Sequence, residues 1–200
     1  FIAMDAGGDH ACAIATDHSM HCWGSNDQGQ ASPPPGTFSQ ISSGSFHSCA
    51  VIQGTSELYC WGYNNNGQTL PLPGTYQEAA SGESHSCGVQ TDSTLSCWGY
   101  NGYGQTVPPT GAYQSVAAGA NHNCAIDSSS NVDCWGFNYF EQSSPPTGWF
   151  SKLSAGAFHS CGLETGGNIQ CWGSDASGES SPPQETFIDV SAGYAHSCGV

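Results

Sequence analysis

Cysteine recurs in this chain at a nearly fixed interval. Cys12, Cys49, Cys87, Cys124, Cys161 and Cys198 follow one another at steps of 37, 38, 37, 37 and 37 residues. A histidine stands two residues before each: His10, His47, His85, His122, His159 and His196. A glycine lies three residues before each histidine, from Gly7 and Gly44 onward. A second series, Cys22, Cys60, Cys97, Cys134 and Cys171, always opens Cys-Trp-Gly, with Trp23, Trp61, Trp98, Trp135 and Trp172 as its tryptophans. A polar turn such as YNNNGQ follows, and then prolines, as in Pro33-Pro34-Pro35 or Pro108-Pro109. A unit this short cannot bury its own apolar face, so the units must stack on one another.

No segment shows the apolar period of a helix. Each unit reads as short strands: one led by an aromatic (Phe38–Ser42, Phe150–Ser154), one of the type His-Ser-Cys-Ala-Val, and one ending in Cys-Trp-Gly. Turns such as QTDST and DSSSN join the last two and are rich in hairpin residues. The prolines mark loops or edges because they cannot donate to a ladder. Three or four antiparallel strands per repeating unit predict an all-β chain, a β-propeller built of blades of about 37 residues. Cys and Trp are adjacent and point to opposite faces, so both can be buried if each blade is covered on both sides. The repeats fall at approximately 1–37, 38–75, 76–112, 113–149 and 150–186, with 187–200 as a partial sixth, within one propeller domain or a fragment of one. Phe1–Ile14 realigns on Phe187–Val200, so the sequence is expected to be a piece of a longer protein.

The run Gly44-x-x-His47-Ser48-Cys49-Ala50-Val51, followed by Cys60-Trp61-Gly62-x-Asn64-x-x-Gly67-Gln68, resembles the regulator of chromosome condensation repeat family. The resemblance spans essentially the whole chain. It implies a parent propeller of about seven blades, roughly 259 residues at this period. The short, proline-punctuated unit is similar to extracellular branches of that family, the bacterial β-lactamase inhibitor propeller and the Crinkly-type receptor ectodomains. The chain departs from the nuclear exchange-factor branch: it has a cysteine pair in every repeat and no basic surface.

Eleven cysteines point to an oxidising compartment. The hairpin register pairs Cys12–Cys22, Cys49–Cys60, Cys87–Cys97, Cys124–Cys134 and Cys161–Cys171, leaving Cys198 unpaired. A rival register, Cys22–Cys49 and onward, also fits the count and leaves over only Cys12. Facing positions of a hairpin reach bridging distance readily, which favours the first. Each small ring would constrain the unfolded chain by roughly 3 kcal/mol. Zinc is disfavoured, since each repeat offers one His and two Cys without the short paired spacing of zinc sites. Dedicated calcium spacing is missing from the polar turns as well, and no metal or cofactor is predicted.

A histidine present once per repeat serves the repeat, and its expected task is a buried hydrogen bond closing the loop after Gly-x-x. His18 and His21 lie off the motif and are expected on the surface. Every acid reads as lying in a variable turn, and no acid, base or nucleophile set distinguishes one repeat, so no enzyme is predicted. Sixteen acids against Lys152 and no arginine give a formal net charge of −15. Such a chain repels phosphate, which excludes nucleic acid and anionic lipid as direct partners.

Repeat four departs most from the pattern. Tyr139, Phe140 and Trp149 are aromatics beyond those of the repeat, and they form a candidate contact for a protein or glycan partner. Ser32-Pro33-Pro34-Pro35, Ser144-Pro145-Pro146 and Ser181-Pro182-Pro183 are candidate sites of hydroxylation and O-glycosylation; no Asn-x-Ser/Thr sequon exists. Taken together, the sequence predicts a secreted or cell-surface, non-catalytic interaction or structural module: an ectodomain, an adhesin or a surface-filament component. Its expected partners are proteins, glycans or other chains of an extracellular assembly. The alternatives are a protein inhibitor or ligand-binding propeller, and, more remotely, an enzyme.

Overall fold

The computed structural model describes residues 1–200 as seventeen strands without a helix. They form five three-stranded antiparallel sheets and a final strand pair. The first sheet holds β1 (Ala3–Ala6), β2 (His10–Ile14) and β3 (Met20–Gly24). The second holds β4 (Phe38–Ser43), β5 (His47–Ile52) and β6 (Leu58–Gly62), and the third β7 (Tyr76–Ser81), β8 (His85–Gln90) and β9 (Leu95–Gly99). The fourth holds β10 (Tyr113–Ala118), β11 (His122–Asp127) and β12 (Val132–Gly136), and the fifth β13 (Phe150–Ala155), β14 (His159–Glu164) and β15 (Ile169–Gly173). β16 (Val190–Ala192) and β17 (Ser197–Gly199) close the chain. This is the predicted propeller, with three strands per blade.

The register of each hairpin sets its two cysteines opposite one another, as in Cys49↔Cys60 and Cys124↔Cys134. All five within-repeat disulfides are present, with Cα atoms 4.0–4.1 Å apart, and the between-repeat register is thereby ruled out. The extra residue in repeat two falls in the hairpin turn and leaves the bridge unchanged. Cys198 is the free cysteine.

The core lies between sheets, in layers. The Cys49–Cys60 bridge and Val51 of the second sheet pack against Tyr76, Ala79 and Trp98 of the third. Cys87, Val89 and Cys97 of the third pack against Tyr113, Val116 and Ala125 of the fourth. Each disulfide therefore faces the following sheet, and each Cys-Trp-Gly tryptophan faces the preceding one, as the alternation of a strand requires. That rule explains the one exposed tryptophan of the series, Trp135 being partly covered. Trp61, Trp98 and Trp172 are at most 8% exposed, but Trp23, with no sheet before it, is 48% exposed.

Successive first strands are stitched together by side chains. Gln40 donates to the Ala79 carbonyl at 2.9 Å and accepts from its amide at 3.2 Å. Ser42 Oγ accepts from the Ser81 amide at 2.9 Å, Glu78 from the Val116 amide at 3.2 Å, and Ser154 Oγ from the Ala192 amide at 2.8 Å. Asp5 does the same for the Ser43 amide, and Lys152 pairs with Asp189. These contacts correct the expectation that every acid sits in a variable turn: Asp5 and Glu78 belong to strands, where they satisfy amides of the next blade that no ladder reaches.

Blade contact also fixes the glycine before each histidine. A Cβ on Gly82 would lie 2.5 Å from the Gly119 carbonyl oxygen and 2.4 Å from His85 Cε1, whereas a Cβ on Gly67, at φ 81°, would meet nothing within 4 Å. Gly82→Ala is expected to lower unfolding free energy by about 3 kcal/mol through overpacking. Gly67→Ala should cost only about 1 kcal/mol of backbone strain. Urea denaturation of the two variants checks the order; equal losses would contradict it.

Candidate functional site

The two ends of the strands form two rims. One gathers the loops between first and second strands with the polar turns after Cys-Trp-Gly; the other gathers the hairpin turns.

On the first rim each blade is latched to the next. The Gln68 carbonyl accepts from Ser86 Oγ at 3.0 Å and from Trp98 Nε1 at 2.8 Å, both on the following sheet. Gln105 receives Asn123 Nδ2 and Trp135 Nε1, each at 2.9 Å, and Gln142 receives Ser160 Oγ at 3.2 Å and Trp172 Nε1 at 2.9 Å. The histidines join the same latch. His47 Nε2 lies 2.8 Å from Ser86 Oγ, His85 Nε2 2.8 Å from Asn123 Oδ1, and His122 Nε2 2.7 Å from Ser160 Oγ. His10 and His159 reach Ser48 at 2.7 Å and Ser197 at 2.9 Å. Ser86 gives its one proton to the Gln68 carbonyl, so His47 donates through Nε2–H. The expected role is thus extended: the histidine closes its own loop through the main chain, Gly44 N–H donating to the His47 carbonyl at 2.8 Å, while its ring bonds to the next blade. His196, in the loop between β16 and β17, is exposed. Of the off-motif pair, His21 is exposed, but His18 is partly covered and its Nδ1 donates to the Phe38 carbonyl at 3.1 Å.

The polar turn, for all its polarity, carries one buried residue in each repeat. Gln30, Gln68, Gln105 and Gln142 are at most 1% exposed, with Oε1 of Gln68 accepting from the Asn66 amide at 3.0 Å. The signal was there: the glutamine recurs at a fixed position while its neighbours vary, and Glu179 takes its place in repeat five.

The same rim carries a connected string of aromatic rings. Tyr100 meets Tyr103 at 6.2 Å, Tyr103 meets Phe137 at 4.9 Å, and Phe137 meets Tyr139 at 6.4 Å and Phe140 at 6.3 Å. Phe140 meets Phe158 at 5.5 Å, which meets Tyr194 at 6.1 Å. Rings from repeats three to six therefore join across four blades. Tyr139 is 81% exposed and Tyr194 73%.

The three aromatics singled out from the sequence do not come together. Tyr139 and Phe140 sit mid-string, but the Trp149 carbonyl accepts from the Thr165 amide of a hairpin turn, which puts Trp149 on the opposite rim. The Ser-Pro-Pro loops lie on the surface. Ser32, Ser144 and Ser181 are exposed, and their hydroxyls bond to Asn26, Asn138 and Asp175 six residues earlier.

Comparison with known proteins accords with this blade geometry. The family description "Regulator of chromosome condensation (RCC1) repeat" matches residues 1–30, 38–68, 78–105, 113–142 and 150–179, well over half of the sequence. The chain belongs to the RCC1 repeat family. No curated protein matches it significantly. Among solved structures, this RCC1-repeat chain is similar to the entire ectodomain of the Physcomitrella patens receptor kinase CR4, at 29% identity and a TM-score of 0.83, over 97% of this chain and 56% of that one. It thus spans little more than half of that relative. It is also similar to the Crinkly WD40 ectodomain of the Arabidopsis thaliana receptor kinase ACR4, at 27% identity and a TM-score of 0.80, over 100% and 74% of the two chains. Prp20p from Saccharomyces cerevisiae shares the fold at 18% identity and a TM-score of 0.86, over 99% and 69%.

The RCC1 latch has an electrostatic consequence. Burial pushes His47 and His122 down to about 3 and His85 to about 4, and it also lowers His10 and His159. Nδ1 of all five is buried without a partner, so a second proton would have nothing to bond. Burial acts oppositely on Asp5, raised to about 6, and Glu78, raised to about 7. Unfolded histidines take up protons near pH 6.5, while folded His47, His85 and His122 wait until about 3 to 4. Their share of stability is complete above pH 6.5 and is lost as pH falls, by about 1.4 kcal/mol per pH unit for each fully buried histidine. The two carboxyls bind protons more readily folded than unfolded, so they favour the folded chain as pH falls from about 7. The histidines outnumber them. The urea midpoint is expected to fall between about pH 6.5 and pH 4.5. The fall should be shallower in His122→Gln and steeper in Glu78→Gln; a midpoint that rises throughout acidification would contradict this balance.

Proposed function

We propose that this chain is an extracellular, non-catalytic interaction module that engages a protein partner through the aromatic rim. The observation that carries the reading is the string from Tyr100 to Tyr194: its rings meet one another across four blades at the surface, with Tyr103, Tyr139 and Tyr194 each at least half exposed. Exposed aromatics that form one continuous patch are what contact surfaces are built from. Five disulfides fit an oxidising compartment, and the likeness to two receptor-kinase ectodomains supports a place at the cell surface. His47, His85 and His122 are neutral, buried and engaged by the next blade, which suits a scaffold and not a general base. Service as the ectodomain of a larger receptor, as an adhesin or as a filament component is part of the proposal.

The spread of the string over several blades also favours a second reading, an inhibitor-type propeller whose rim occludes a partner enzyme. A fall in the captured partner's activity on binding would select it.

The test uses the purified chain on intact cells of its source organism. Wild type and Trp149→Ala should bind alike, and Tyr139→Ala/Phe140→Ala about tenfold more weakly. Equal binding by all three would overturn the rim as the contact surface.

A further inference from the structure

The rim that bears the aromatic string bears acids and no lysine or arginine. Glu83 and Glu141 are exposed on its loops. Glu83 is tied to the middle of the string: Asn121 Nδ2 donates to Glu83 Oε2 at 3.4 Å, and the Asn121 carbonyl accepts from the Phe137 amide at 2.9 Å. Glu141 follows Phe140 directly, held at φ 67° where other repeats place glycine. The chain's single basic side chain, Lys152, is on β13, paired with Asp189. Nothing within the molecule neutralises this rim.

Two sources of negative potential therefore coincide. The carboxylates are one; the faces of the rings are the other, because an aromatic quadrupole is negative over the ring and positive at its edge. Each edge-to-face contact along the string, as between Tyr139 and Phe140 at 88°, covers a face of only one of its two rings, and Tyr103 and Tyr139, 51% and 81% exposed, keep ring surface open to a ligand. A neutral glycan could stack on the rings but would leave Glu83 and Glu141 without a counter-charge. An acidic or phosphorylated ligand would be repelled by both sources. A guanidinium or ammonium group answers both, by lying over a ring face and pairing with a carboxylate.

We infer that the partner presents a lysine- and arginine-bearing protein segment, which lies along the string with its cations over Tyr103 and Tyr139 and against Glu83 and Glu141. This deepens the reading of the rim as a contact surface and rests on it.

Titration of the full chain with an arginine- and lysine-containing peptide, followed by NMR shift mapping, tests the inference. A neutral oligosaccharide and a glutamate-rich peptide serve as comparators. Shifts should be confined to the aromatic rim. The dissociation constant should rise about tenfold in Tyr103→Ala/Tyr139→Ala, and again on raising salt from about 0.05 to 0.3 M. It should rise in Glu83→Gln/Glu141→Gln but stay unchanged in Tyr139→Phe, in Trp149→Ala and in the opposite-rim pair Asp17→Asn/Asp92→Asn. Equal weakening by the opposite-rim pair would reduce the effect to general attraction by an acidic protein and overturn the inference. Saturable oligosaccharide binding at the rim without binding of the basic peptide would overturn it too. In either case rim-dependent cell binding would leave the contact surface standing; its loss alone removes that reading.

Discussion

The main-chain carbonyl of Gln68 receives two hydrogen bonds from the following sheet, from Ser86 and Trp98, and His47 completes the group through Ser86. That buried carbonyl lies in a loop, where no ladder can satisfy it, and an unpaired one would cost about 1–3 kcal/mol. Repeating the group blade after blade turns a set of small sheets into one body. It also dictates composition: the histidine must be neutral, and wherever a blade precedes, the residue after it is Ser or Asn and the tryptophan carries its N–H toward that blade; Ala11 follows His10 in the first repeat. Substituting Asn123 for serine keeps the scheme, because its amide both accepts from His85 and donates to Gln105.

The bridges act at a different level. Each closes a hairpin inside a blade and constrains the unfolded chain. The latch acts between blades. The disulfides also supply apolar surface, since each packs beneath the aromatic side chains of the next sheet, as Cys49–Cys60 does beneath Tyr76 and Trp98. A chain with so few aliphatic residues per repeat thus builds its core from sulfur and aromatic rings. The stable parts recur from blade to blade with few changes, which leaves the rim loops free to differ, and there the aromatic string and its acids are found.

Much of this was legible in the sequence. The 37-residue period dictated stacked sheets, and the cysteine spacing of 10 or 11 matched facing hairpin positions, now seen in register. Relations between blades were harder to read. Asp5 and Glu78 looked like surface acids because the amides they satisfy belong to residues about one period away. The histidine looked like a local loop brace for the same reason. The aromatic string was read only in part: Tyr139 and Phe140 stood out as additions to repeat four, but nothing in the sequence joins them to Tyr103, Phe158 and Tyr194, whose loops are set side by side only by the fold. Trp149 was grouped with them by proximity in the chain, although the irregular segment 143–148, which runs from the polar turn to the start of β13, carries it to the other rim.

The account's central claim is that each Cys-Trp-Gly tryptophan is a donor locked onto the preceding blade. Hydrogen exchange of the indole N–H groups, followed by NMR, measures this directly. Trp61, Trp98, Trp135 and Trp172 should exchange slowly, at rates set by opening of the blade interfaces. Trp23, without a blade to donate to, and Trp149, on the opposite rim, should exchange at nearly the rate of free indole. Exchange of Trp98 as fast as that of Trp23 would contradict the latch and the blade-to-blade order built on it.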